Sequence, residues 1–291
     1  MTVCVAGLIN WTYDNGDIRK AIITASDRML TVGEHEYEPG QRKIGQLSPR
    51  ILALVSGSIT VHAEAMGNTV SHLSASPTTD VGDVAEIYAS YVRRYRLREA
   101  EQTYLAPLGL DAATFVAAQG TMAPGVVSDL VSQMQSHRID AEAIVAGCDD
   151  LKAHLYHVDD RGFVTCHTDP GFVSIGIGCN HANAEIMAAN FSSWWPLARS
   201  ALLFYTAKKR AEVAPGVGSE TDICLINRHG MIVLPEPTQQ KIADIFQKGV
   251  ERRKQGEDAD EQELLAFFEK NKQPTIAHQP ASEAISSSDH P

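Results

Sequence analysis

The sequence predicts an α+β fold, a sandwich of two stacked sheets with helices on both outer faces. Three observations lead to this prediction. Apolar strand-like segments begin the chain and recur near its middle, two stretches of helical periodicity separate the groups of strands, and a strand hairpin closes the folded part near residue 234. Strands and helices grouped in this order are typical of layered α+β domains.

Each element has a local signal in the sequence. Asn15-Gly16 favours a tight hairpin turn, and the apolar residues between Val84 and Leu97 recur on one helical face. The predicted strands are residues 2–9, 21–25, 43–47, 50–56, 142–148, 154–157, 163–168, 222–227 and 231–234. The predicted helices are residues 60–72, 81–105, 111–136, 179–195 and 197–210. The remaining predictions are a surface insertion over residues 10–20 and a polar loop over residues 30–42.

The composition changes after residue 236, and this change sets the predicted domain boundaries. Residues 1–236 form the sandwich domain, residues 237–273 form a charged helical extension, and residues 274–291 are predicted to be a disordered tail. The extension is predicted to contain two helices, residues 241–253 and 258–270. Its apolar anchors are Leu264, Leu265, Phe267 and Phe268. The Phe267-Phe268 pair either docks on a neighbouring subunit or an activator, or packs back on its own domain.

Composition and charge argue against several classes of function. The formal net charge of −11 and the pI near 5.4 argue against nucleic acid as a partner, because its phosphates require a basic surface. No apolar run approaches the roughly 20 residues that span a membrane, and the N-terminus lacks the regions of a secretory signal. The five cysteines are widely spaced without a CxxC pair, so we expect reduced thiols in a cytoplasmic protein.

The first two residues contain a candidate reactive group. Methionine aminopeptidase normally removes a Met that precedes a small residue, so Thr2 would become the chain terminus. The terminal α-amine, with a reference pKa of about 7.7–8.0, would be partly neutral near pH 7 and able to accept the proton of the neighbouring hydroxyl. A nearby ammonium would lower this pKa further through like-charge repulsion.

Two later segments strengthen this interpretation. Residues 25–31 read ASDRMLT, Lys43 follows Thr31 by twelve residues, and an apolar strand ends in Ser56-Gly57. Together with Thr2, these motifs resemble the proteasome β-subunit family of N-terminal-nucleophile hydrolases. The opening Met-Thr-x-Cys is most similar to the bacterial proteasome-like proteins of the Anbu type and to HslV. The resemblance extends more loosely to about residue 234 and implies a four-layer αββα sandwich.

The resemblance implies catalytic roles for the matching residues. Thr2 would supply the nucleophilic hydroxyl and, through its freed α-amine, the general base. Lys43 would keep the site electropositive, and Asp27 would pair with Lys43 and orient it. The N–H of Gly57 would donate to the oxyanion. The alternatives are a surface salt bridge between Asp27 and Lys43, and a glycine that merely ends a strand.

The resemblance also implies substrate contacts. Thr31 would hydrogen-bond the main chain of a peptide that pairs as an added strand. Leu30, Val55 and Ile59 match positions that line the pocket for the P1 side chain. Because all three are apolar, we expect apolar P1 residues, and an ordinary core role is the alternative.

Two parts of the family pattern are altered. The family's Gly-Ser-Gly motif, whose serine supports the terminal amine, stands here as Gly176-Ile177-Gly178, and isoleucine can neither donate nor accept a hydrogen bond. The second supporting pair, usually Asp and Ser, is matched only loosely by Glu212 and Ser219. These departures favour weak or specialised activity over general proteolysis.

We expect no cofactor and no metal. His154 and His157 lie at odd spacing on a predicted strand, so their side chains face opposite sides and cannot share a metal ion. The Gly176-x-Gly178 segment lacks the third glycine of a dinucleotide-binding loop.

The sequence therefore leads to one preferred function and two alternatives. We expect a threonine-type endopeptidase that cleaves peptides or unfolded proteins within a homo-oligomeric ring or spiral, with an unfoldase ATPase as a candidate partner. The alternatives are an amidase of the same fold that acts on a small molecule or an isopeptide, and a proteasome-like scaffold with weak or absent catalysis. Turnover of peptides separates the first two, and Thr2→Ala separates both from the scaffold.

Overall fold

The computed structural model describes residues 2–32, 35–38, 40, 42–149 and 152–271. The chain divides into two units, Met1–Asp244 and Ile245–Pro291. The described strands are β1 (Cys4–Thr12), β2 (Ile18–Ser26), β3 (Leu30–Val32), β4 (His35–Tyr37), β5 (Ile44–Ser48), β6 (Ile51–Gly57), β7 (Ala141–Cys148), β8 (Ala153–Val158), β9 (Val164–Cys166), β10 (Phe172–Ile175), β11 (Asp222–Asn227) and β12 (Gly230–Val233). The described α-helices are α1 (Ile59–Ala75), α2 (Val81–Ala100), α3 (Ala112–Ala118), α4 (Pro124–Ser136), α5 (Cys179–Ala188), α6 (Leu197–Ala211) and α7 (Glu236–Lys270).

Two five-stranded antiparallel sheets form the centre of the first unit. The first sheet has the strand order β10-β1-β2-β11-β12, the second has the order β5-β6-β7-β8-β9, and β3 pairs with β4 in a separate hairpin. The two sheets share a buried apolar layer to which β1, β2 and β10 contribute from one side and β6, β7 and β8 from the other. Its residues include Cys4, Ala6, Leu8, Ile22, Leu52, Leu54, Ile144, Leu155, Val173 and Ile175. Each fully buried Leu or Ile side chain contributes about 1.5–3 kcal/mol, so this layer holds the sheets face to face.

Helices cover the outer faces of the two sheets. α1 and α2 pack on the second sheet through a separate buried cluster that includes Val61, Val84 and Tyr88. α6 packs on β1 and β2 of the first sheet. Gly7 makes this approach possible, because a Cβ at that position would meet the ring of Phe204 at 2.0 Å. The arrangement is compatible with the predicted α+β sandwich.

Most predicted elements are confirmed to within a few residues. β5 and β6 match the predicted strands over residues 43–47 and 50–56, and α1 and α6 match the helices over residues 60–72 and 197–210. The interrupted helix over residues 111–136 is divided into α3 and α4. α3 begins with a capping box, in which the side chains of Asp111 and Thr114 each accept from the other residue's N–H.

The first two strands are longer than predicted, and one predicted loop was wrong. β1 and β2 continue pairing through Asn10 and Lys20 to Thr12 and Ile18, so most of the hairpin over residues 10–20 is paired strand. The polar segment over residues 30–42 contains the β3–β4 hairpin. In both segments the backbone pairs across the strands whatever the polarity of the side chains, so polar composition alone did not identify a loop.

The predicted helix over residues 179–195 ends early, at Ala188. Asn190 has φ +50°, its N–H donates to the Met187 carbonyl at 2.9 Å, and the N–H of Phe191 donates to the Ile186 carbonyl at 3.2 Å. These two bonds form a Schellman motif, which ends a helix by satisfying its last carbonyl groups. Strand β10, just before this helix, has no counterpart among the sequence predictions.

The charged extension contains one helix where two were predicted. α7 runs without a break from Glu236 to Lys270 and has no buried residue. The boundary between the two units of the chain falls inside this helix. Gly256 does not interrupt it, because a glycine inside a helix costs only about 1 kcal/mol relative to alanine. The predicted tail over residues 274–291 lies outside the described residues. Of the helices that the structure describes, none combines the length and apolar character required to cross a membrane.

Candidate functional site

Three residues singled out by the sequence meet at the beginning of β1. Thr2 precedes β1, Asp27 follows β2, and Lys43 precedes β5. The N–H of Asp27 donates to the Val3 carbonyl at 3.3 Å, which extends the β1–β2 ladder by one step. The N–H of Val55 donates to the Lys43 carbonyl at 3.1 Å and ties Lys43 to β6. Strand pairing therefore places all three side chains in one place.

The hydroxyl of Thr2 lies between an ammonium and a carboxylate. Nζ of Lys43 donates to Oγ1 of Thr2, and Oγ1 donates in turn to Oδ1 of Asp27. All three side chains are buried, with Lys43 the most exposed at 7%. An exposed ion pair would contribute less than about 1 kcal/mol. Burial therefore argues against the alternative of a surface salt bridge.

The carboxylate of Asp27 has the largest number of hydrogen bonds in the site. Its Oδ1 accepts from the N–H of Val3 at 3.0 Å and from Nζ of Lys43 at 3.2 Å. Its Oδ2 accepts from Lys43 at 3.1 Å and from the N–H groups of Met29 and Gly218, both at 3.0 Å. A buried charge is costly unless it is paired and hydrogen-bonded. These donors meet that requirement and fix the carboxylate in one orientation.

Gly57 ends β6 with a backbone conformation that favours glycine. Its φ is +96°, and a Cβ would lie 2.2 Å from the carbonyl oxygen of Asp140. Both interpretations of Gly57, as an oxyanion donor and as a residue that ends a strand, are consistent with this conformation. The geometry therefore explains the glycine without choosing between them.

A cleft of about 520 Å³ opens beside Gly57. Its lining residues are Ser56, Gly57, Arg138, Ile139, Asp140, Ala141, Glu142, Asp160, Gly176 and Ile177. Gly176 forms the wall that adjoins Thr2, because a Cβ on this glycine would lie 2.4 Å from the Thr2 carbonyl oxygen. The N–H of Gly178 donates to the same oxygen at 3.3 Å. The cleft is thus next to the peptide group of Thr2.

Glu142 holds the turn that forms this wall. Its Oε2 accepts from the N–H of Gly176 at 3.3 Å, and Nε2 of His157 lies 3.7 Å from its Oε1. The neighbouring imidazole of His157 and then the N–H of Gly176 lower the pKa of Glu142 below its ordinary value, against the effect of burial. A carboxylate is therefore available at the cleft at neutral pH.

Ile177 gives no polar group to the site, and its side chain is 49% exposed. The hydroxyl of Ser56 lies close to the same wall, because the Cβ that would meet the Thr2 carbonyl oxygen would also approach Oγ of Ser56, at 2.9 Å. Ser56 follows Leu54 by two residues and therefore shares its face of β6, which points toward the first sheet. The sequence analysis missed Ser56 as a site residue, although the strand period could have placed its side chain between the sheets.

Glu212 and Ser219, the loosely matched supporting pair, lie near the site without a described hydrogen bond to Thr2. Glu212 accepts from Nζ of Lys208 at 2.6 Å and from Nζ of Lys209 at 2.7 Å. Oγ of Ser219 donates to Oε2 of Glu38 at 2.9 Å. Lys208, which the sequence analysis did not single out, also donates to the carbonyl of Gly218.

The predicted substrate-contact residues lie in β3, in β6 and at the start of α1. Leu30 and Thr31 lie in β3, and the side chain of Thr31 is outside what the structure describes. Val55 packs toward α1 and α2, and Ile59 begins α1 with a side chain that is 53% exposed. Leu30, Val55 and Ile59 do not line the cleft beside Gly57. The alternative of a core role for Val55 therefore stays open.

Two buried groups lie near the site, the thiol of Cys4 and the imidazole of His62. Burial raises the pKa of the Cys4 thiol to about 12, with Asp27 as a further cause, so the thiol stays protonated and is no competing nucleophile. His62 joins α1 to β6, since its Nε2 lies 2.8 Å from the Ser56 carbonyl and its Nδ1 lies 2.7 Å from Oη of Tyr88. Because a carbonyl only accepts, Nε2 carries the proton and Nδ1 accepts from the tyrosine.

The described residues include no group of three or more His, Cys, Asp or Glu side chains that could hold a metal ion. All five cysteines are free thiols. No protein-family model matches the chain, and no curated protein matches it.

Proposed function

We propose that the chain is an N-terminal threonine hydrolase, and more specifically a threonine-type endopeptidase with a four-layer αββα fold of the proteasome-like kind. One observation carries the proposal: the Thr2 hydroxyl accepts a hydrogen bond from Lys43 and donates one to Asp27 in a buried site. Nucleophilic catalysis requires a hydroxyl that is held and activated in this way. The adjoining cleft supplies space for a substrate.

The reaction begins once Met1 has been removed. The freed α-amine of Thr2 takes the hydroxyl proton while Oγ1 attacks the substrate carbonyl carbon, and the resulting oxyanion accepts from the N–H of Gly57. The C–N bond then breaks, and the ammonium returns its proton to the leaving amine. Water next attacks the ester, again with the α-amine as base, and the C–Oγ1 bond breaks to release the acid and restore the hydroxyl.

Lys43 and Asp27 act on different parts of this reaction. The ammonium of Lys43 stabilises the negative charge that develops on Oγ1, and it disfavours a second positive charge on the neighbouring α-amine. Asp27 keeps that ammonium in place through both of its carboxylate oxygens. Low solvent exposure strengthens both effects, because electrostatic interactions are less screened in a buried site.

The substrate would be a peptide or an unfolded protein in extended form, with an apolar side chain near Leu30, Val55 and Ile59. We further propose that copies of the chain assemble into a ring or spiral in the cytoplasm and that an unfoldase ATPase supplies substrate. An amidase acting on a small molecule or an isopeptide is a second candidate, because the same nucleophile and base can attack any amide carbonyl. A scaffold with weak catalysis is a third, favoured by Ile177 in place of the supporting serine.

The test is the intact mass of the untagged protein with and without a peptide epoxyketone. That reagent needs a hydroxyl and an amine on one terminal residue. We expect loss of Met1, a mass increase equal to one inhibitor per chain, and no increase in Thr2→Ala. Thr2→Ser is the matched control, since it keeps both groups and should still react. Retention of Met1, or an equal adduct on Thr2→Ala, would contradict the proposal.

A further inference from the structure

Lys208 is a buried cation close to the proposed nucleophile. It lies on α6, and its side chain is fully buried. A lysine in such a position loses the hydration of its ammonium, which is costly unless hydrogen bonds and an opposite charge replace the water. An apolar side chain of similar volume would fill the space without that cost. The charge itself therefore requires an explanation.

The ammonium of Lys208 has two described hydrogen-bond partners. Nζ donates to Oε1 of Glu212 at 2.6 Å and to the carbonyl of Gly218 at 2.7 Å. Burial lowers the pKa of Lys208, while the hydrogen bond and the charge of Glu212, and more weakly the charge of Asp27, act in the opposite direction. Lys209 also donates to Glu212 but reaches the carbonyl of Ser219, at 3.2 Å, on the more exposed side.

Gly218 is held at both of its backbone groups. Its carbonyl accepts from Lys208 at 2.7 Å, and its N–H donates to Oδ2 of Asp27 at 3.0 Å. Glu38 closes the remaining side, because a Cβ on Gly218 would lie 1.8 Å from Oε1 of Glu38. The position of one N–H donor to Asp27 is thus set by the ammonium of Lys208.

We propose that Lys208 is a positioning residue of the Thr2 site, which acts by fixing Gly218 against the carboxylate of Asp27. This inference rests on the proposed function for its catalytic meaning. The ammonium also adds a positive charge that acts on Asp27. The charged groups near this segment are Lys209 on α6, Glu212 just after α6, Asp27 after β2, Glu38 after β4 and Lys43 before β5.

The experiment compares Lys208→Met with Lys209→Met in the full-length protein. Both variants remove one lysine that donates to Glu212, but only the first removes the contact with Gly218. The first readout is hydrogen exchange, measured by mass spectrometry, in peptides that contain the Gly218 amide. We expect exchange there to accelerate about tenfold or more in Lys208→Met and to remain at the wild-type rate in Lys209→Met.

The second readout is the rate of epoxyketone adduct formation as a function of pH. Lys208→Met should lower the maximal rate about tenfold and move the midpoint of the profile upward by about half a unit, since removal of a buried positive charge makes a protonated α-amine less unfavourable. A purely structural role would lower the rate equally at all pH values. If Lys208→Met does not fold, Lys208→Gln replaces it, because the amide is neutral and its shorter side chain weakens the contact.

The outcomes separate this inference from the proposed function. Wild-type exchange at Gly218 in the folded Lys208 variant overturns the inference, as does faster exchange with an unchanged rate and pH profile. A wild-type protein that loses Met1 but forms no adduct contradicts the proposed function alone, and the exchange result then decides whether Lys208 fixes Gly218 against Asp27. Retention of Met1 likewise contradicts the proposed function alone, and the exchange result again decides the inference.

Discussion

The two sides of Thr2 are built differently. On the side of Asp27, one carboxylate receives three backbone N–H groups and an ammonium, and Lys208 holds one of those N–H groups in place. On the side of Gly176, the wall of the cleft presents Ile177, and the Ser56 hydroxyl has no described hydrogen bond. The hydroxyl of Thr2 is thus supported by several groups that reinforce one another, whereas the carbonyl of Thr2 adjoins a wall with fewer polar groups.

This difference indicates which changes matter most. On the side of Asp27, we expect removal of the ammonium charge of Lys43 to lower the rate more than the loss of one of several hydrogen-bond donors. On the side of Gly176, which has few polar groups, a single added or deleted hydroxyl should change the hydrogen bonding. The predictions below test that contrast, beginning with the side of Asp27.

Lys43→Met should cause the largest loss. It removes the cation next to Oγ1 of Thr2, and we expect epoxyketone adduct formation to fall by at least about 10³-fold. The fold should persist, because Asp27 keeps its backbone N–H donors. Lys20→Met, which removes a half-buried lysine bonded to Asn10 and Ser193, is the control and should react at the wild-type rate. A fast-reacting, folded Lys43→Met protein would remove Lys43 from the mechanism.

Gly57→Ala should be the next most severe change. Its Cβ would meet the Asp140 carbonyl at 2.2 Å, so the end of β6 must shift and the proposed oxyanion donor moves with it. We expect about a 10²-fold loss of adduct formation and a lower midpoint of thermal unfolding.

Gly16→Ala is the matched control for backbone strain. Gly16 has a similar φ of +81°, but an added Cβ there meets no atom within 4 Å. This variant should lose about 1–2 kcal/mol of unfolding free energy and keep its activity. If folded Gly57→Ala and folded Gly16→Ala form the epoxyketone adduct at equal rates, Gly57 is not the oxyanion donor and only ends a strand.

Ile177→Ser should increase the rate on the sparse side. Ile177 is half exposed, so the substitution costs little packing, and a hydroxyl there restores the group that the family resemblance leads us to expect. A hydrogen bond contributes about 0.5–1.5 kcal/mol, which corresponds to a gain of about two- to twelvefold. Ser56→Ala should lose a similar factor. Ser58→Ala is the control, since the side chain of Ser58 makes no capping bond. If neither Ile177→Ser nor Ser56→Ala changes the rate of adduct formation, the α-amine needs no support from this side.

Thr2, Asp27 and Lys43 were identified from the terminal threonine and from the family resemblance, and strand pairing accounts for their proximity. Thr2 and Asp27 are adjacent because β1 and β2 form one hairpin. Lys208 was missed because its role arises where α6 meets the Gly218 segment, a tertiary contact that no local period encodes. The strand period places Ser56 between the sheets, but its proximity to Gly176 is again a tertiary contact.

The errors in the predicted fold have two origins, a local signal that was overlooked and strand pairing that no local pattern encodes. The helix stop at Asn190 had a local signal, because Asn tolerates a positive φ at the end of a helix. By contrast, the β3–β4 hairpin is polar, and only the pairing of its two strands reveals it. The two helices predicted over residues 241–253 and 258–270 are one, because α7 continues through Gly256.

The smallest predicted effect concerns His62, which supports the end of β6 from the side of α1. Burial is the main cause that lowers the pKa of His62 below 6.5, although the Ser56 carbonyl opposes it. The folded protein therefore resists a proton that the unfolded chain accepts, so the free energy of unfolding decreases as the pH falls below about 6.5. When the pH is lowered from about 7.5 to about 5.5, the midpoint of thermal unfolding should fall by a few degrees less in His62→Gln than in the wild type. His181→Gln, at an exposed histidine on α5, should keep the wild-type pH dependence. Identical pH dependence in the two variants would show that His62 does not link protonation to the stability of β6.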